Sequence, residues 1–145
     1  MAGSKKILGE RLESGQYNEN TSEHLHRYAM VMDLCRDKVV MDIACGDGYG
    51  SNLMAQKAAK VIGVDISDEA VLSARDKYRR ANLEYKVGSA DKIPAPDSTI
   101  DVLISFETLE HHDRHDEMMQ EIKRVLVPGG LCIISTPDKL VYTDK

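Results

Sequence analysis

No stretch of this 145-residue chain approaches the ~20 consecutive apolar residues that a bilayer-spanning helix requires, and the polar N-terminus has no signal-peptide core. Metal-spaced cysteines are missing as well. Cys35, Cys45 and Cys132 sit in unrelated contexts with no C-x-x-C pair, which reads as reduced thiols of a cytoplasmic protein rather than a disulfide framework or a zinc site. Each is expected to be a small buried hydrophobe. There is no excess of basic charge: 19 Lys and Arg stand against 24 Asp and Glu, for a net charge of −5. Clustered positive charge is what phosphate-backbone binders rest on, so nucleic acid is not expected as a partner. Internal repeats and low-complexity segments are absent too. What remains, at 42% hydrophobic and 30% charged, is the composition of one ordinary globular domain, too short for two.

From Lys38 onward, short apolar runs alternate with helical patterns. Val39 to Ala44 is a β-rich run ending in a glycine cluster, Gly46, Gly48 and Gly50, and a helix fits Tyr49 to Ala58. Lys60 to Asp65 reads as a second strand. Ser67 is placed to cap the helix that follows, with Asp68 and Glu69 in its first turn and apolar residues at Ala70, Val71, Ala74 and Tyr78. Strands are further expected over Leu83–Val87, Ile100–Phe106 and Leu131–Ser135. Met118, Met119, Ile122, Val125 and Leu126 mark the buried stripe of the intervening helix, which Pro128-Gly129-Gly130 stops. Alternation of this kind predicts an α/β fold: a Rossmann-like, doubly wound parallel sheet with helices on both faces. Ligands of such sheets bind beyond the carboxyl ends of the strands, where the strand order reverses.

The first strand exit reads Asp42-Ile43-Ala44-Cys45-Gly46-Asp47-Gly48-Tyr49-Gly50-Ser51. Alternate glycines let the backbone turn sharply against a ligand. The dinucleotide fingerprint G-x-G-x-x-G is not met, because Ser51 stands where its third glycine belongs. Asp42 and Asp47 also make the loop better suited to a cationic ligand than to a pyrophosphate. Asp65 ends the second strand, where a carboxylate can accept both hydroxyls of a ribose; a simple helix-capping aspartate is the alternative. Asp91, in Gly88-Ser89-Ala90-Asp91, could accept an exocyclic adenine amine or be a plain turn residue.

Taken together, these segments resemble the class I S-adenosylmethionine-dependent methyltransferases from about Tyr17 to Thr136. Asp42 to Gly50 is similar to the family's glycine-rich first motif and Gly63-Val-Asp65-Ile-Ser67 to its second. Phe106-Glu-Thr-Leu-Glu-His111 and Arg124-Val-Leu-Val-Pro-Gly-Gly130 are family-like as well. The resemblance implies strand order 3-2-1-4-5 and S-adenosylmethionine as cofactor, with S-adenosylhomocysteine as product. It further implies contacts from Asp42, Ala44, Gly46, Asp47, Gly48, Tyr49, Asp65, Ile66, Ala90, Asp91 and Phe106. Tyr17 and the run Glu23-His24-Leu25-His26-Arg27-Tyr28 resemble a leader of bacterial methyltransferases associated with glycan or surface-polysaccharide assembly. Tyr17, His26 and Arg27 are therefore candidates for the cofactor's carboxylate end. The same segment reads as an amphipathic helix packing through Leu25, Tyr28, Ala29 and Met32.

The implied division is a tag and flexible leader over 1–16 and a cofactor-binding domain over 17–145, with a helix at 21–36 and the core at 38–136. Glu110, His111, His112, Asp113, His115 and Asp116 are dense enough to raise metal binding, but only His111 and His115 have helical pair spacing, and no metal site is expected. His111 and then Glu107 are the candidate general bases, and Asp113 the cap of the next helix. The expected activity is methyl transfer to a small molecule, such as a sugar or glycan-linked acceptor. The rival readings are a cofactor-binding or assembly module without a complete acceptor site, and a nicotinamide-linked oxidoreductase, which would want a glycine at position 51 and a Tyr-x-x-x-Lys site. Nine residues follow Thr136, too few for the family's remaining helix and two strands. The sheet is accordingly expected to lack the C-terminal antiparallel hairpin, in a truncated or minimal chain. Its fifth strand would lie exposed, an edge that a homodimer would cover.

Overall fold

Strand β1 (Val39–Ile43) lies at the centre of a sheet whose order is β3-β2-β1-β4-β5-β6. Its neighbours are β2 (Lys60–Asp65) and β4 (Ile100–Phe106), both parallel to it, with Asp42 opposite Gly63 on one side and Ile104 on the other. β3 (Leu83–Val87) and β5 (Leu126–Thr136) extend the parallel set to five strands in the expected 3-2-1-4-5 order. The computed structural model describes residues 26, 28–106, 114–136 and 139–144.

A sixth strand, β6 (Lys139–Asp144), folds back antiparallel on β5, with Thr136 opposite Lys139 and Leu131 opposite Asp144. The expected lack of an antiparallel partner is therefore corrected. Nine residues cannot make a helix and two strands, but six suffice for one strand. β6 covers the edge of β5 and becomes the outer strand on that side of the sheet.

Helices flank both faces. On one, Met41, Ile43, Leu103 and Cys132 pack with Met118, Ile122 and Val125 of α3 (His115–Val125). On the other, Val40, Val61, Ile104 and Ile133 meet Met54 of α1 (Tyr49–Met54) together with Tyr28 and Val31. Each such fully buried side chain contributes about 1.5–3 kcal/mol of transfer free energy. α2 (Asp68–Lys77) covers Tyr85 and Cys45 through Val71 and Ala74, and the Ser67 hydroxyl caps it by accepting from the Ala70 N–H at 3.1 Å. α1 is shorter than expected: beyond Met54 the chain tightens, with the Gln56 and Lys57 amides bonding to carbonyls three residues back. Met119 is 42% exposed, because it lies off the stripe formed by Met118, Ile122 and Val125. Among the described residues no helix is long and apolar enough to cross a membrane.

Two local devices fix the strands that carry the site. Arg124 donates from Nη2 to the Ile93 carbonyl and from Nη1 to Ala95, while Glu121 accepts from the Ile93 N–H at 2.8 Å. This clamps the loop between β3 and β4 onto α3 and gives the Arg124 motif a structural role. The Pro128-Gly129-Gly130 segment lies within β5 as an irregularity, the register jumping from Ile100 opposite Leu126 to Val102 opposite Leu131.

Residues 28–32 are helical and run into a 3-10 turn at Asp33–Cys35. The packing face is Tyr28, Val31 and Cys35, with Met32 half-buried; Ala29 is exposed, and Leu25 lies outside the described residues. The seam is thus rotated from the expected one, because Tyr28 rather than Ala29 faces the sheet.

Candidate functional site

Beyond Ile43 the backbone leaves β1 with Ala44 at φ +63° and Gly46 and Gly48 at +60° and +89°. Ala44 is a non-glycine residue in the left-handed region, a conformation that costs about 1 kcal/mol and persists where surrounding contacts enforce it. Those contacts are present. The Cys45 N–H donates to the Val64 carbonyl at 2.9 Å, and the Gly46 N–H donates to Asp65 Oδ2 at 2.9 Å. Tyr85 donates its hydroxyl to the Gly48 carbonyl at 2.9 Å. A Cβ on Gly48 would lie 2.6 Å from the Tyr85 oxygen and 2.7 Å from the Ala74 Cβ, so this glycine is required by space as well as by φ.

Asp65 joins the loop to the end of β2. Its second oxygen, Oδ1, accepts from the Ser67 N–H at 2.9 Å. Each carboxylate oxygen has two acceptor positions, so one on each remains for a ligand hydroxyl. Next to it, Ile66 is 75% exposed, an apolar surface standing open at the rim. Ala90 is buried below the neighbouring strand end. Asp91 forms a short hydrogen bond with the Ser89 hydroxyl and an ion pair with Arg114 at 3.0 Å, so any ligand amine would share this carboxylate with them.

Asp42 is 1% exposed and lies beneath the loop. Ser51 donates to it at 2.7 Å and Tyr28 at 3.2 Å. Burial pushes its carboxyl up to about 7, against the lowering effect of these two hydroxyl donors, and the charge of Asp65 raises it further. Asp42 therefore acts through Ser51 and Tyr28. Asp47 is also buried; it accepts from the Tyr49 N–H at 3.3 Å and pairs with Lys77 at 3.5 Å, which turns it toward α2. Tyr49 lies edge-on to Tyr78, with ring centroids 6.3 Å apart. Phe106, at the end of β4, is buried edge-on against Tyr28 at 5.0 Å. Burial raises all three thiols, Cys35 and Cys132 to about 12, so none is a thiolate nucleophile at neutral pH.

The ends of β1, β2 and β4 thus bring Asp42, Ala44, Gly46, Gly48, Asp65, Ile66 and Phe106 to one rim, at the reversal of strand order between β1 and β4. His26 is exposed on the helical segment. Tyr17, Arg27, Glu107, His111 and Asp113 lie outside the described residues; α3 begins at His115 after Arg114, which makes no side-chain cap. Tyr28 as a donor to Asp42 was not foreseeable from spacing, since 14 residues separate them. Ser51 was visible in the sequence only as the residue that breaks the dinucleotide fingerprint.

A family profile described as "Methyltransferase domain" matches residues 41–134, spanning the glycine loop, Asp65 and the clamp at Arg124. The chain belongs to the class I S-adenosylmethionine-dependent methyltransferases. A probable S-adenosylmethionine-dependent methyltransferase of Mycolicibacterium smegmatis is 32% identical over 94% of this chain and 53% of its own length. A fatty-acid O-methyltransferase of the same organism is 30% identical over 81% of this chain and 43% of its own. Among solved structures, the PH0226 protein of Pyrococcus horikoshii superposes with a TM-score of 0.76 at 26% identity, covering 92% of this chain and 65% of that one. The chain spans about half the length of the curated relatives it matches.

The family's cofactor is S-adenosylmethionine, and the residues present fit it. The loop approaches without side chains at Gly46 and Gly48, Asp65 offers free acceptor positions, and Ile66 offers an open apolar surface.

The buried Asp42 carries a pH signature. Its folded pKa lies above its unfolded value, so at this group the unfolded chain binds fewer protons between about pH 4 and 7, and the contribution of Asp42 to stability falls as pH rises through that window. Asp42→Asn is expected to flatten this slope, raising the urea midpoint at pH 8 while leaving it nearly unchanged at pH 4. Denaturation curves of parent and variant at the two pH values check this; a difference between parent and variant that is the same at pH 4 and pH 8 would count against it.

Proposed function

We propose that this chain transfers a methyl group from S-adenosylmethionine to a small-molecule acceptor. The observation that carries this reading is Asp65, a carboxylate at the end of β2 that anchors the glycine loop through Gly46 and keeps acceptor positions toward the rim. S-adenosylmethionine would supply, when bound, a sulfonium methyl whose carbon an acceptor atom attacks in line, the C–S bond breaking so that S-adenosylhomocysteine leaves. The chain's own part is to bind and position. Asp65 holds the ribose hydroxyls, and Ile66 lies against the adenine with Ala90 and Asp91 at its edge. Ala44, Gly46, Gly48 and Tyr49 wrap the methionine portion. Asp42 and Asp47 set the loop's shape from below, and Phe106 with Tyr28 forms the wall behind it. Tyr17, His26 and Arg27 serve the carboxylate end.

Orientation supplies most of the rate for so activated a donor. A hydroxyl acceptor also needs a base, for which His111 is the first choice and Glu107 the second, both just beyond β4. Sugars and glycan-linked hydroxyls are the proposed acceptors. The fatty-acid specificity named for one relative places carboxylates in the same assay. The buried, reduced thiols support a cytoplasmic setting.

S-adenosylhomocysteine production is expected with at least one acceptor from a panel of sugars, glycolipids and fatty acids, and to fall by about a hundredfold in His111→Ala. Cofactor binding without product across the panel would favour a binding module instead.

A further inference from the structure

Past the C-terminal end of α2, a groove of about 380 Å³ opens beside the start of β3, lined by Arg75, Tyr78, Arg79, Arg80, Leu83 and Tyr85, the two tyrosines backing onto the loop at Tyr49 and Gly48. Its charge is opposite to that of the chain. Residues 75–80 contain four basic side chains and one acidic, a local balance of +3 in a protein of −5. Basic residues at a helix C-terminus normally answer the helix dipole. Arg75 and Lys77 occupy that last turn, but Lys77 is directed to Asp47 at 3.5 Å, and Arg79 and Arg80 lie past the helix end.

The three guanidinium groups keep unused donors. Arg75 gives Nε and Nη2 to the Tyr85 carbonyl, at 3.1 and 2.8 Å, which fixes its plane and leaves Nη1 for another partner. Among the described residues Arg80 is held by one bond, Nε to Asn52 Oδ1 at 2.7 Å, which leaves both terminal nitrogens. Arg79 touches Asp76 at 3.4 Å in a pair that is more than three-quarters exposed on both sides and accordingly weak. Two of the three arginines are thus positioned in advance, Arg80 with both terminal nitrogens unused and Arg75 with Nη1. A planar fork is the geometry that binds phosphate oxygens bidentately, and the tyrosine rings give the groove apolar walls for whatever the phosphate is attached to.

We propose that this groove is a second binding site, distinct from the cofactor rim, for a phosphate or diphosphate group carried by a ligand. It does not depend on the methyl-transfer reading, and the bound group can belong to a free metabolite or to a lipid headgroup. Inorganic pyrophosphate titrated into the full chain by calorimetry is expected to bind saturably at one site and to weaken as salt is raised. Arg79→Ala/Arg80→Ala is expected to weaken it by about tenfold or more, with S-adenosylhomocysteine affinity unchanged. Asp76→Asn removes the patch's one acid and is expected to tighten binding about twofold, a gain that misfolding does not mimic.

Flotation with phosphatidylcholine vesicles, with and without phosphatidylglycerol, separates the two sources. Capture by the anionic vesicles, reversed by pyrophosphate, assigns a headgroup; pyrophosphate binding without capture assigns a free phosphate ligand. No saturable pyrophosphate binding by the parent, or equal binding by the parent and the double variant, overturns the proposal.

Discussion

Replacing Asp65 with alanine is expected to weaken S-adenosylhomocysteine binding by about a hundredfold to ten-thousandfold. Two hydroxyl-to-carboxylate bonds contribute about 1.5–3 kcal/mol each, and every 1.4 kcal/mol is a factor of ten. Part of the loss comes from the loop itself. The Gly46 and Ser67 amides, both held by Asp65 at 2.9 Å, would lose their acceptor, and with it the constraint that keeps Ala44 and Gly46 at positive φ. Asp65→Asn keeps one carbonyl acceptor and removes the charge, so it should fall between parent and alanine variant. Calorimetric titration of the three proteins is the measurement. An alanine variant that binds as tightly as the parent would leave the ribose assignment without support.

Gly50→Ala is expected to cost about 3 kcal/mol or more of stability, measured as a shift in urea midpoint at constant slope. An added Cβ would lie 2.1–2.5 Å from ring carbons of Tyr28, closer than real Cβ contacts come. Overpacking of a buried contact costs about 1–3 kcal/mol when neighbours can shift. This ring has little freedom, because Phe106 packs edge-on against it and its hydroxyl donates to Asp42. The alternative to strain is displacement of the helical segment at residues 28–32, which leaves Asp42 with one hydroxyl donor and opens the sheet face at Phe106. A Tyr28→Ala/Gly50→Ala double variant distinguishes the two residues' contributions. Its loss should be clearly smaller than the sum of the singles, since removing the ring removes the clash. Strict additivity would mean that the ring is not what Gly50 accommodates.

These two residues also show what the chain's pattern discloses. Strand positions and their 3-2-1-4-5 order were legible because a parallel sheet buried on both faces writes near-continuous apolar runs, such as Ile100–Phe106. The place of Asp65 at the end of β2 was legible from the strand pattern, but its bonds to the Gly46 and Ser67 amides were not, since they depend on how the loop folds over the strand end. The link from Tyr28 to Asp42 was not, since it depends on how a helix rotates onto a sheet, and period alone left Ala29 and Tyr28 equivalent. β6 was missed through counting residues against two strands when one was enough. The pairing of Asp91 with Arg114 joins positions 23 apart across an intervening strand, and no local signal marks it.

The central claim is that the rim formed by the glycine loop and Asp65 holds an adenosyl amino acid rather than a nicotinamide dinucleotide. Side-by-side calorimetric titration of the chain with S-adenosylhomocysteine and with NAD tests it most directly. One-site binding of S-adenosylhomocysteine, lost in Asp65→Ala, with no heat from NAD, is the predicted result. Binding of NAD alone would contradict it.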